Sequence, residues 1–183
     1  MTHIIGLSGS LRRHSFNSGL LRAAAEAMPE GSTLEIGSIA EIPLYNGDLE
    51  AADFPAAVTR LKDRIAAADG LLLVTPEYNN SIPGVFKNAI DWLSRPSSDA
   101  ARVFGGKPVG VIGTSPGRFG TLLSQTAWLQ VLRTLGAEHW NGGRLVVSSA
   151  GTLFDAEGNL TDFETRERLS NYLTGFVAHI GSA

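Results

Sequence analysis

The stretch HIIGLSGSLRRHSFN, residues 3–17, is the part of the sequence that decides the fold. Its beginning, His3–Leu7, is an apolar run typical of a buried strand, and a segment with helical periodicity follows over about Asn17–Met28. The polar turn between them therefore brings the chain to the N-terminus of a helix. Free backbone N–H groups and the positive end of the helix dipole make such a turn a natural anion site.

The side chains of this first loop, residues 8–17, suit one kind of anion in particular. Hydroxyls, an amide and a guanidinium are the donors that a terminal phosphate needs, and the loop supplies them from Ser8, Ser10, Arg12, Ser15 and Asn17. A simpler interpretation is a strand-to-helix connection in which one Ser or Asn caps the helix. Capping requires only one such residue, so the loop favours the phosphate site.

The length and composition favour a single globular domain spanning residues 1–183. The chain is 43% apolar and 18% charged, and 183 residues are enough to bury a core. A formal charge of -3 is too mild to indicate binding to nucleic acid or to an anionic membrane. It also disfavours a small flavin electron carrier, because those proteins are usually strongly acidic.

Several other classes of site and location are disfavoured as well. The absence of cysteine excludes disulfides, thiol redox chemistry and thiolate metal sites. The four histidines lack the spacing of metal ligands, so we predict no metal site. The sequence contains no apolar run of membrane-spanning length and does not open like a secretory signal peptide, so we expect a cytoplasmic location.

Apolar runs alternate with helix-period segments along the rest of the chain. After the first strand, the runs predict strands at Thr33–Ile36, Gly70–Thr75, Pro108–Thr114 and Arg144–Val147. The periodic segments predict helices over Ala56–Ala67, Val85–Leu93 and Thr121–Leu135, and a last helix from near Thr161, with Glu164 completing a capping box, to about His179. Gly136 stands where a helix C-cap belongs.

This alternation predicts an α/β protein with a doubly wound parallel sheet and helices on both faces. Five strands suit the flavodoxin-like order 2-1-3-4-5, in which a ligand lies outside the carboxyl ends of the strands, at the switch point between the first and third. We expect Ser94–Gly106, rich in Pro, Ser and Gly, to be the least ordered segment.

Three polar loops should gather at that edge of the sheet. The second loop is Thr75–Gly84 and the third is Thr114–Gly120. Together with the first loop they offer a phosphate cradle, an aromatic and amide surface, and a glycine-rich floor. This combination suits a flat heterocycle that carries a phosphate. Glu77 within the second loop has two open interpretations, a buried catalytic acid or a residue that lends only its backbone.

Competing nucleotide and hydrolase motifs do not fit. No G-x-G-x-x-G follows the first strand, so the dinucleotide fingerprint is missing. Gly105-Gly106-Lys107 is followed by Pro108 and lacks the upstream glycine of a P-loop. No G-x-S-x-G nucleophile elbow is present either.

The three loops resemble those of the NADPH-dependent FMN reductase family, which includes quinone, azo-dye and chromate reductases. The matching stretches are GSLR with Ser15 and Asn17, PEYN at 76–79, SIPG at 81–84, KNAIDW at 87–92 and SPG at 115–117. The resemblance extends over most of the chain. Some chromate-reducing members carry an aromatic residue after PEYN, where this chain has Asn80.

The resemblance implies a set of cofactor-binding residues and no catalytic side chain. The FMN phosphate would be held by Ser10, Arg12, Ser15 and Asn17, with Leu11 and Phe16 beside them. The isoalloxazine ring and ribityl chain would be lined, partly by backbone, by Pro76, Glu77, Tyr78 and Asn79. The pyrimidine edge of the ring would be approached by Ser115 and Gly117.

The resemblance also implies the activity, with FMN as cofactor and NADPH or NADH as hydride donor. The expected enzyme passes electrons by a ping-pong route to quinones or similar small acceptors, such as free flavin, azo compounds or chromate. Alternatives are a non-enzymatic FMN-binding electron carrier or redox-sensing module, and a nucleotide- or phosphosugar-binding domain without flavin. The candidates for a contact with the 2′-phosphate of NADPH are Arg13 and Arg118, and the alternative for both is a solvated charge on a loop.

Two helices also predict self-association. The segment Thr121–Leu135 carries Leu122, Leu129 and Leu132 on one face, with Trp128, Val131 and Leu135 extending the apolar surface around it. The segment Val85–Leu93 carries Trp92 off the face of Phe86 and Ile90. Such breadth exceeds one core-facing stripe, so we expect a homodimer or homotetramer. A deeply buried helix is the alternative.

Overall fold

The computed structural model describes residues 1–182 and is built on one parallel sheet. Its strands are β1 (Thr2–Ser8), β2 (Ser32–Gly37), β3 (Gly70–Val74), β4 (Pro108–Thr114), β5 (Glu138–His139) and β6 (Leu145–Val147). Its α-helices are α1 (Phe16–Glu26), α2 (Gly47–Ala52), α3 (Ala56–Ala67), α4 (Gly84–Leu93), α5 (Ala100–Phe104), α6 (Leu122–Leu135) and α7 (Phe163–Ser182).

The strand order is β2-β1-β3-β4-β5, with β6 also paired to β4, which confirms the predicted doubly wound sheet. The predicted fifth strand is β6, and it pairs with the last three residues of β4, Ile112–Thr114. A separate two-residue strand, β5, pairs with Pro108 and Val109 at the other end of β4. The sequence did not predict β5, because Glu138-His139 has no apolar pattern.

Two hydrophobic cores lie on the two faces of the sheet. Helices α3 to α6 enclose one core, whose largest buried side chains include Trp92, Trp128 and Phe86. Helices α1 and α7 enclose the other, around Leu20 and Phe176. All five residues of β3 are buried, as a central strand covered on both faces requires. Within residues 1–182, no helix is long and apolar enough to cross a membrane.

The ends of three helices test the predicted caps. Helix α1 begins at Phe16, and the Ser15 hydroxyl caps it by accepting a hydrogen bond from the Ser18 N–H at 3.3 Å. Gly136 ends α6 with φ of 69°, as predicted. The capping box predicted for α7 is wrong: the Asp162 carboxylate accepts from the Thr165 N–H at 2.8 Å.

The segment Ser94–Gly106, expected to be the least ordered part of the chain, contains regular secondary structure. This segment forms a 3₁₀ turn at Ser97–Asp99 followed by α5, whose Val103 and Phe104 are fully buried. Asp99 lies 2.6 Å from the buried Lys62 Nζ and 2.6 Å from Arg102 Nε. Two apolar anchors and this ion-pair network stabilise a segment whose composition alone is typical of a loop.

Candidate functional site

The three polar loops meet at the carboxyl ends of β1, β3 and β4 around a cavity of about 310 Å³. The residues that line it are Ser10, Arg12, Ser15, Phe16, Asn17, Pro76, Glu77, Tyr78, Thr114, Ser115 and Pro116. Most of the residues predicted from the sequence therefore come together. Thr114 and Pro116 were not predicted, although both flank Ser115 at the end of a predicted strand.

Three predicted residues lie elsewhere. Leu11 lines a neighbouring cavity on the other side of Arg12. Asn79 forms a turn next to Tyr78, and Gly117 lies two residues beyond Ser115 in the third loop.

The first loop presents donors toward the cavity. The Arg12 N–H donates to the Ser10 hydroxyl at 3.3 Å, and the Arg12 carbonyl accepts from the Ser15 N–H at 3.1 Å, so the loop is held in a compact turn. Among residues 1–182, the backbone N–H groups of Phe16 and Asn17 have no protein acceptor, as the start of a helix leaves them. These N–H groups suit an anion.

The Arg12 guanidinium is held in place by an aromatic ring. Its central carbon lies 5.1 Å from the centroid of the Phe16 ring, and that ring lies 5.1 Å from the ring of Phe154. Within the described chain, no carboxylate lies in ion-pair contact with Arg12. The guanidinium is therefore oriented by stacking and keeps its hydrogen-bond donors for a ligand.

Asn17 joins the first loop to the third. Its amide nitrogen donates to the Thr114 carbonyl at 2.8 Å, and its amide oxygen accepts from the Thr114 N–H at 3.0 Å. The side chain is buried, so both contacts are made away from water. Its amide group thus fixes the spacing of two loops that line the cavity.

The first and second loops pack closely at Gly9. A Cβ atom at this position would lie 2.2 Å from the Phe86 ring and 2.9 Å from Pro76, distances that no side chain tolerates. Glycine is therefore required there to let the first loop approach the second.

The tip of the second loop is a tight turn. Tyr78 and Ser81 exchange two backbone hydrogen bonds of 3.1 Å, and the residues between them, Asn79 and Asn80, have φ of 50° and 60°. Asparagine adopts positive φ more readily than other residues with a side chain, which explains the Asn-Asn pair. The turn holds Tyr78 at the mouth of the cavity, where its side chain is exposed.

Glu77 has a role that sequence reasoning missed. Its carboxylate accepts hydrogen bonds from the Leu123 and Ser124 N–H groups at 2.8 and 3.0 Å. These groups lie in the first turn of α6, whose own N-cap residue Thr121 makes no side-chain cap. Glu77 therefore caps a helix 46 residues further along the chain.

The third loop is held by its own serine. The Ser115 hydroxyl donates to the Gly120 carbonyl at 2.6 Å and accepts from the Gly117 N–H at 3.3 Å. A Cβ at Gly117 would meet only the Ser115 hydroxyl, at 3.5 Å, so the protein's own packing does not require glycine there. Its small size leaves room for the edge of a ligand.

This donor set fits a phosphate-bearing flavin. A guanidinium, hydroxyls and the N–H groups at the start of α1 line the cavity together with the Pro76–Tyr78 segment and the third loop. The carboxylate on the cavity wall, Glu77, is engaged by backbone donors. Within residues 1–182, no group of three or more metal-ligating side chains is present.

Comparison with known proteins agrees with this geometry. A model of the NADPH-dependent FMN reductase family matches residues 2–152. The chain is 46% identical over 170 residues to an NAD(P)H-dependent FMN reductase of Pseudomonas aeruginosa, covering 93% of this chain and 90% of that protein. It is 41% identical over 172 residues to a 2-hydroxy-1,4-benzoquinone reductase of Burkholderia sp., covering 94% and 92%.

A solved structure agrees as well. FerB of Paracoccus denitrificans, a flavoenzyme NAD(P)H:(acceptor) oxidoreductase, superposes with a TM-score of 0.88 and 36% identity, covering all of this chain and 98% of FerB.

Fold and site together define a flavodoxin-like, FMN-dependent NAD(P)H oxidoreductase. The chain belongs to the NADPH-dependent FMN reductase family, and the resemblance of its three loops to that family is confirmed. The names of its relatives favour an enzyme over an electron carrier or a redox-sensing module.

Proposed function

We propose that the protein is an NAD(P)H:quinone oxidoreductase in which the nucleotide and the quinone use one open face of the site in turn. The observation that carries this proposal is the convergence of three loops on one cavity, with the aromatic side chain of Tyr78 exposed at its mouth. The quinone reductases among the relatives support the choice of acceptor. In this proposal residues 1–183 act as one FMN-binding domain.

The chain's own residues bind and orient the cofactor. Ser10, Arg12 and the N–H groups at the start of α1 hold the phosphate, with Ser15 and Asn17 shaping the cradle and Leu11 and Phe16 flanking it. The second loop, through Pro76, Glu77 and Tyr78, would line the ring and ribityl chain, and Ser115 would approach the pyrimidine edge. Asn79 in the adjoining turn and Gly117 in the third loop would support these two segments from outside the cavity lining. Bound FMN supplies the redox chemistry between nicotinamide and acceptor.

The site offers no free carboxylate or histidine to move a proton. Among the residues that line the cavity, Glu77 is the acid, and its carboxylate caps α6. Reduction of a quinone makes a light demand on acid–base chemistry, because the product can take its protons from water. The poverty of catalytic side chains is therefore consistent with this activity.

Steady-state kinetics test the proposal. The purified protein should carry FMN, identified by mass analysis of the flavin released on heating, and should oxidise NAD(P)H rapidly when a quinone is present. Double-reciprocal plots at several quinone concentrations should be parallel, and excess quinone should compete with the nucleotide. Intersecting lines without substrate inhibition would mean that both substrates bind at once.

The same proposal includes a homodimer or homotetramer. Exposed apolar side chains lie on the second loop, the third loop and α6: Tyr78 is 49% exposed, Phe119 76%, Leu123 44% and Leu129 43%. Trp92, by contrast, is buried within its own chain, so the breadth of α4 reflects the core and gives no support for a partner. Light scattering at micromolar concentration should give at least twice the monomer mass. The cytoplasmic location expected from the sequence stays a prediction.

A further inference from the structure

A hairpin formed by residues 154–160 packs against the first loop from outside the flavin cavity. Phe154 and Leu160 pair across it as an antiparallel bridge, and their side chains are buried, at 8% and 1% exposure. The Asp155 carboxylate closes the turn by accepting hydrogen bonds from the Asn159 N–H at 2.7 Å and from the Asn159 side-chain amide at 3.1 Å. None of these four residues lines the cavity, and the hairpin follows residue 152, the last residue that the family model matches. The proposed function therefore gives the hairpin no role.

The turn of the hairpin is attached to the first loop and to the helix that follows this loop. The Glu157 carbonyl accepts a hydrogen bond from His14 Nδ1 at 3.2 Å, and His14 belongs to the loop itself. The Gly158 carbonyl accepts from Arg22 Nη2 at 3.1 Å, and Arg22 lies in α1. The hairpin is thus bonded on both sides of the segment that enters α1, where the phosphate cradle lies.

Hairpin and helix approach each other most closely at Gly19 of α1. A Cβ atom at this position would lie 1.7 Å from the Gly158 carbonyl oxygen and 3.3 Å from the Phe154 ring. The first distance is far too short for any side chain, so only glycine lets the hairpin pack here. Glycine is a poor residue inside a helix, so the hairpin, and not the helix, explains its presence in α1.

A row of three side chains leads from the hairpin to the cavity. The rings of Phe154 and Phe16 have centroids 5.1 Å apart and are tilted by 41°. The central carbon of the Arg12 guanidinium lies 5.1 Å from the centroid of the Phe16 ring. Phe154 is buried at one end of the row, whereas Arg12 is exposed and lines the cavity at the other. Because an arginine side chain has many rotamers, its guanidinium needs such support to stay in one place.

We propose that the hairpin of residues 154–160 positions Arg12 for the phosphate of the flavin, with Phe154 as the positioning residue. Phe154 holds the Phe16 ring, and the Phe16 ring in turn restricts where the Arg12 guanidinium lies. Ordering Arg12 before the flavin binds removes a cost that phosphate binding would otherwise meet. The hairpin therefore strengthens the preference for FMN over riboflavin, the flavin without a phosphate. The inference rests on the proposed function, since the group that Arg12 binds is the phosphate of FMN.

Binding of two flavins to the flavin-free protein tests this role. Kd is measured for FMN and for riboflavin by the quenching of flavin fluorescence, and the ratio of the two reports the contribution of the phosphate. In the parent protein, FMN should bind at least about tenfold more tightly, as one charge-assisted contact implies. Phe154→Leu keeps an apolar side chain but removes the ring. Its Kd for FMN should rise roughly three- to tenfold while its Kd for riboflavin stays within about twofold.

Gly19→Ala tests the hairpin from the side of the helix. The added methyl group displaces the hairpin, whereas alanine by itself favours the helical conformation of α1. We expect the same selective loss of FMN affinity as in Phe154→Leu. The controls are Phe163→Leu, at a side chain 72% exposed on α7, and Gly181→Ala, at a position of α7 with open space around a Cβ atom. Both controls should bind FMN and riboflavin as the parent protein does.

A double-mutant cycle shows whether Phe154 acts through Arg12. In the Arg12→Ala background, Phe154→Leu should cause no further loss of FMN affinity, because the guanidinium that Phe154 positions is gone. A residue that only stabilised the fold would weaken binding by the same factor in both backgrounds.

Three results would overturn the inference. They are an unchanged Kd for FMN in Phe154→Leu, an equal loss of affinity for FMN and riboflavin in that variant, and additive effects of Phe154→Leu and Arg12→Ala. If the parent protein binds FMN and reduces quinones in any of these cases, the proposed function stands and only the role of the hairpin is refuted. A parent protein that binds no FMN and reduces no quinone would instead refute the proposed function, and this inference with it.

Discussion

Asn17 and Thr114 exchange two buried hydrogen bonds, of 2.8 and 3.0 Å, across 97 residues of sequence. Asn17 lies in the first turn of α1 and Thr114 is the last residue of β4, so this pair connects the phosphate end of the site to its third loop. A single side chain thereby satisfies both backbone groups of Thr114, which would otherwise be buried without partners.

Replacing Asn17 should therefore cost both stability and flavin affinity. We expect Asn17→Ala to lower the free energy of unfolding by about 1–3 kcal/mol, because two buried backbone groups lose their partners. FMN affinity should fall by about tenfold, since the first and third loops are no longer held at a fixed spacing. Urea denaturation and FMN titration of the flavin-free protein measure the two effects.

The matched control is Asn171→Ala, which removes an exposed asparagine from α7. It should leave stability within about 0.5 kcal/mol and FMN affinity unchanged. If Asn17→Ala behaves like this control, the two hydrogen bonds do not position the loops.

The sheet could be predicted from the sequence because its central strands are continuous apolar runs. The run at Gly70–Val74 is typical of a strand buried on both faces, and right-handed connections restrict the possible orders of strands. The misses are elements without such a pattern. Strand β5 is two residues long, and α2 has no buried residue, so neither leaves a hydrophobic signal.

The candidate site was predictable as a set of loops but not as a set of contacts. Ser10 and Arg12 follow a strand and precede a helix, so their position in the first loop could be predicted from the sequence. The partners of Glu77 and Asn17 lie 46 and 97 residues away and depend on the packing of whole elements. The neighbouring cavity that Leu11 lines likewise joins segments that no local pattern connects.

Arg12 should contribute more to FMN binding than its neighbour Arg13. Arg12 stacks on Phe16 and lines the site, whereas Arg13 does not line it. A charge-assisted phosphate contact is worth about 1.5–3 kcal/mol, so Arg12→Ala should lose roughly ten- to a hundredfold in affinity. FMN titration of both flavin-free variants makes the comparison, and equal losses would mean that the wrong arginine has been assigned.

Asp99 should govern stability at low pH. Hydrogen bonds from Arg102 and then Lys62 hold the pKa of the Asp99 carboxyl well below its usual range. Its stabilising effect is therefore complete above the unfolded-state pKa, near about 4, and is lost as the pH falls through the lower folded-state pKa. Asp99→Asn should destabilise the protein at pH 7 by about 1–3 kcal/mol, because the buried Lys62 loses its charged partner.

Thermal unfolding of Asp99→Asn and the parent protein across the acid range measures this effect. The difference between them should shrink as the pH falls below about 4. Asp63→Asn is the control, since Asp63 also pairs with Arg102 but its side chain is 61% exposed. That variant should differ from the parent by less than about 1 kcal/mol. A constant difference for Asp99→Asn at every pH would show that the carboxylate's charge is not responsible.

Two variants of Glu77 distinguish a structural role of this residue from a catalytic one. Glu77→Ala removes the cap of α6 and should lower the free energy of unfolding by about 0.5–2 kcal/mol. Glu77→Gln keeps a side-chain oxygen that can accept from the Leu123 and Ser124 N–H groups, so it should recover most of that loss.

Because the carboxylate is engaged with α6, turnover with NAD(P)H and quinone should change by no more than a few-fold in Glu77→Gln, with an unaltered pH profile. Urea denaturation measures the stability of each variant, and kinetics from about pH 5 to about pH 9 measure its pH profile. A stable Glu77→Gln variant that binds FMN normally yet loses turnover, together with one limb of the pH profile, would instead identify Glu77 as a proton donor in the reaction.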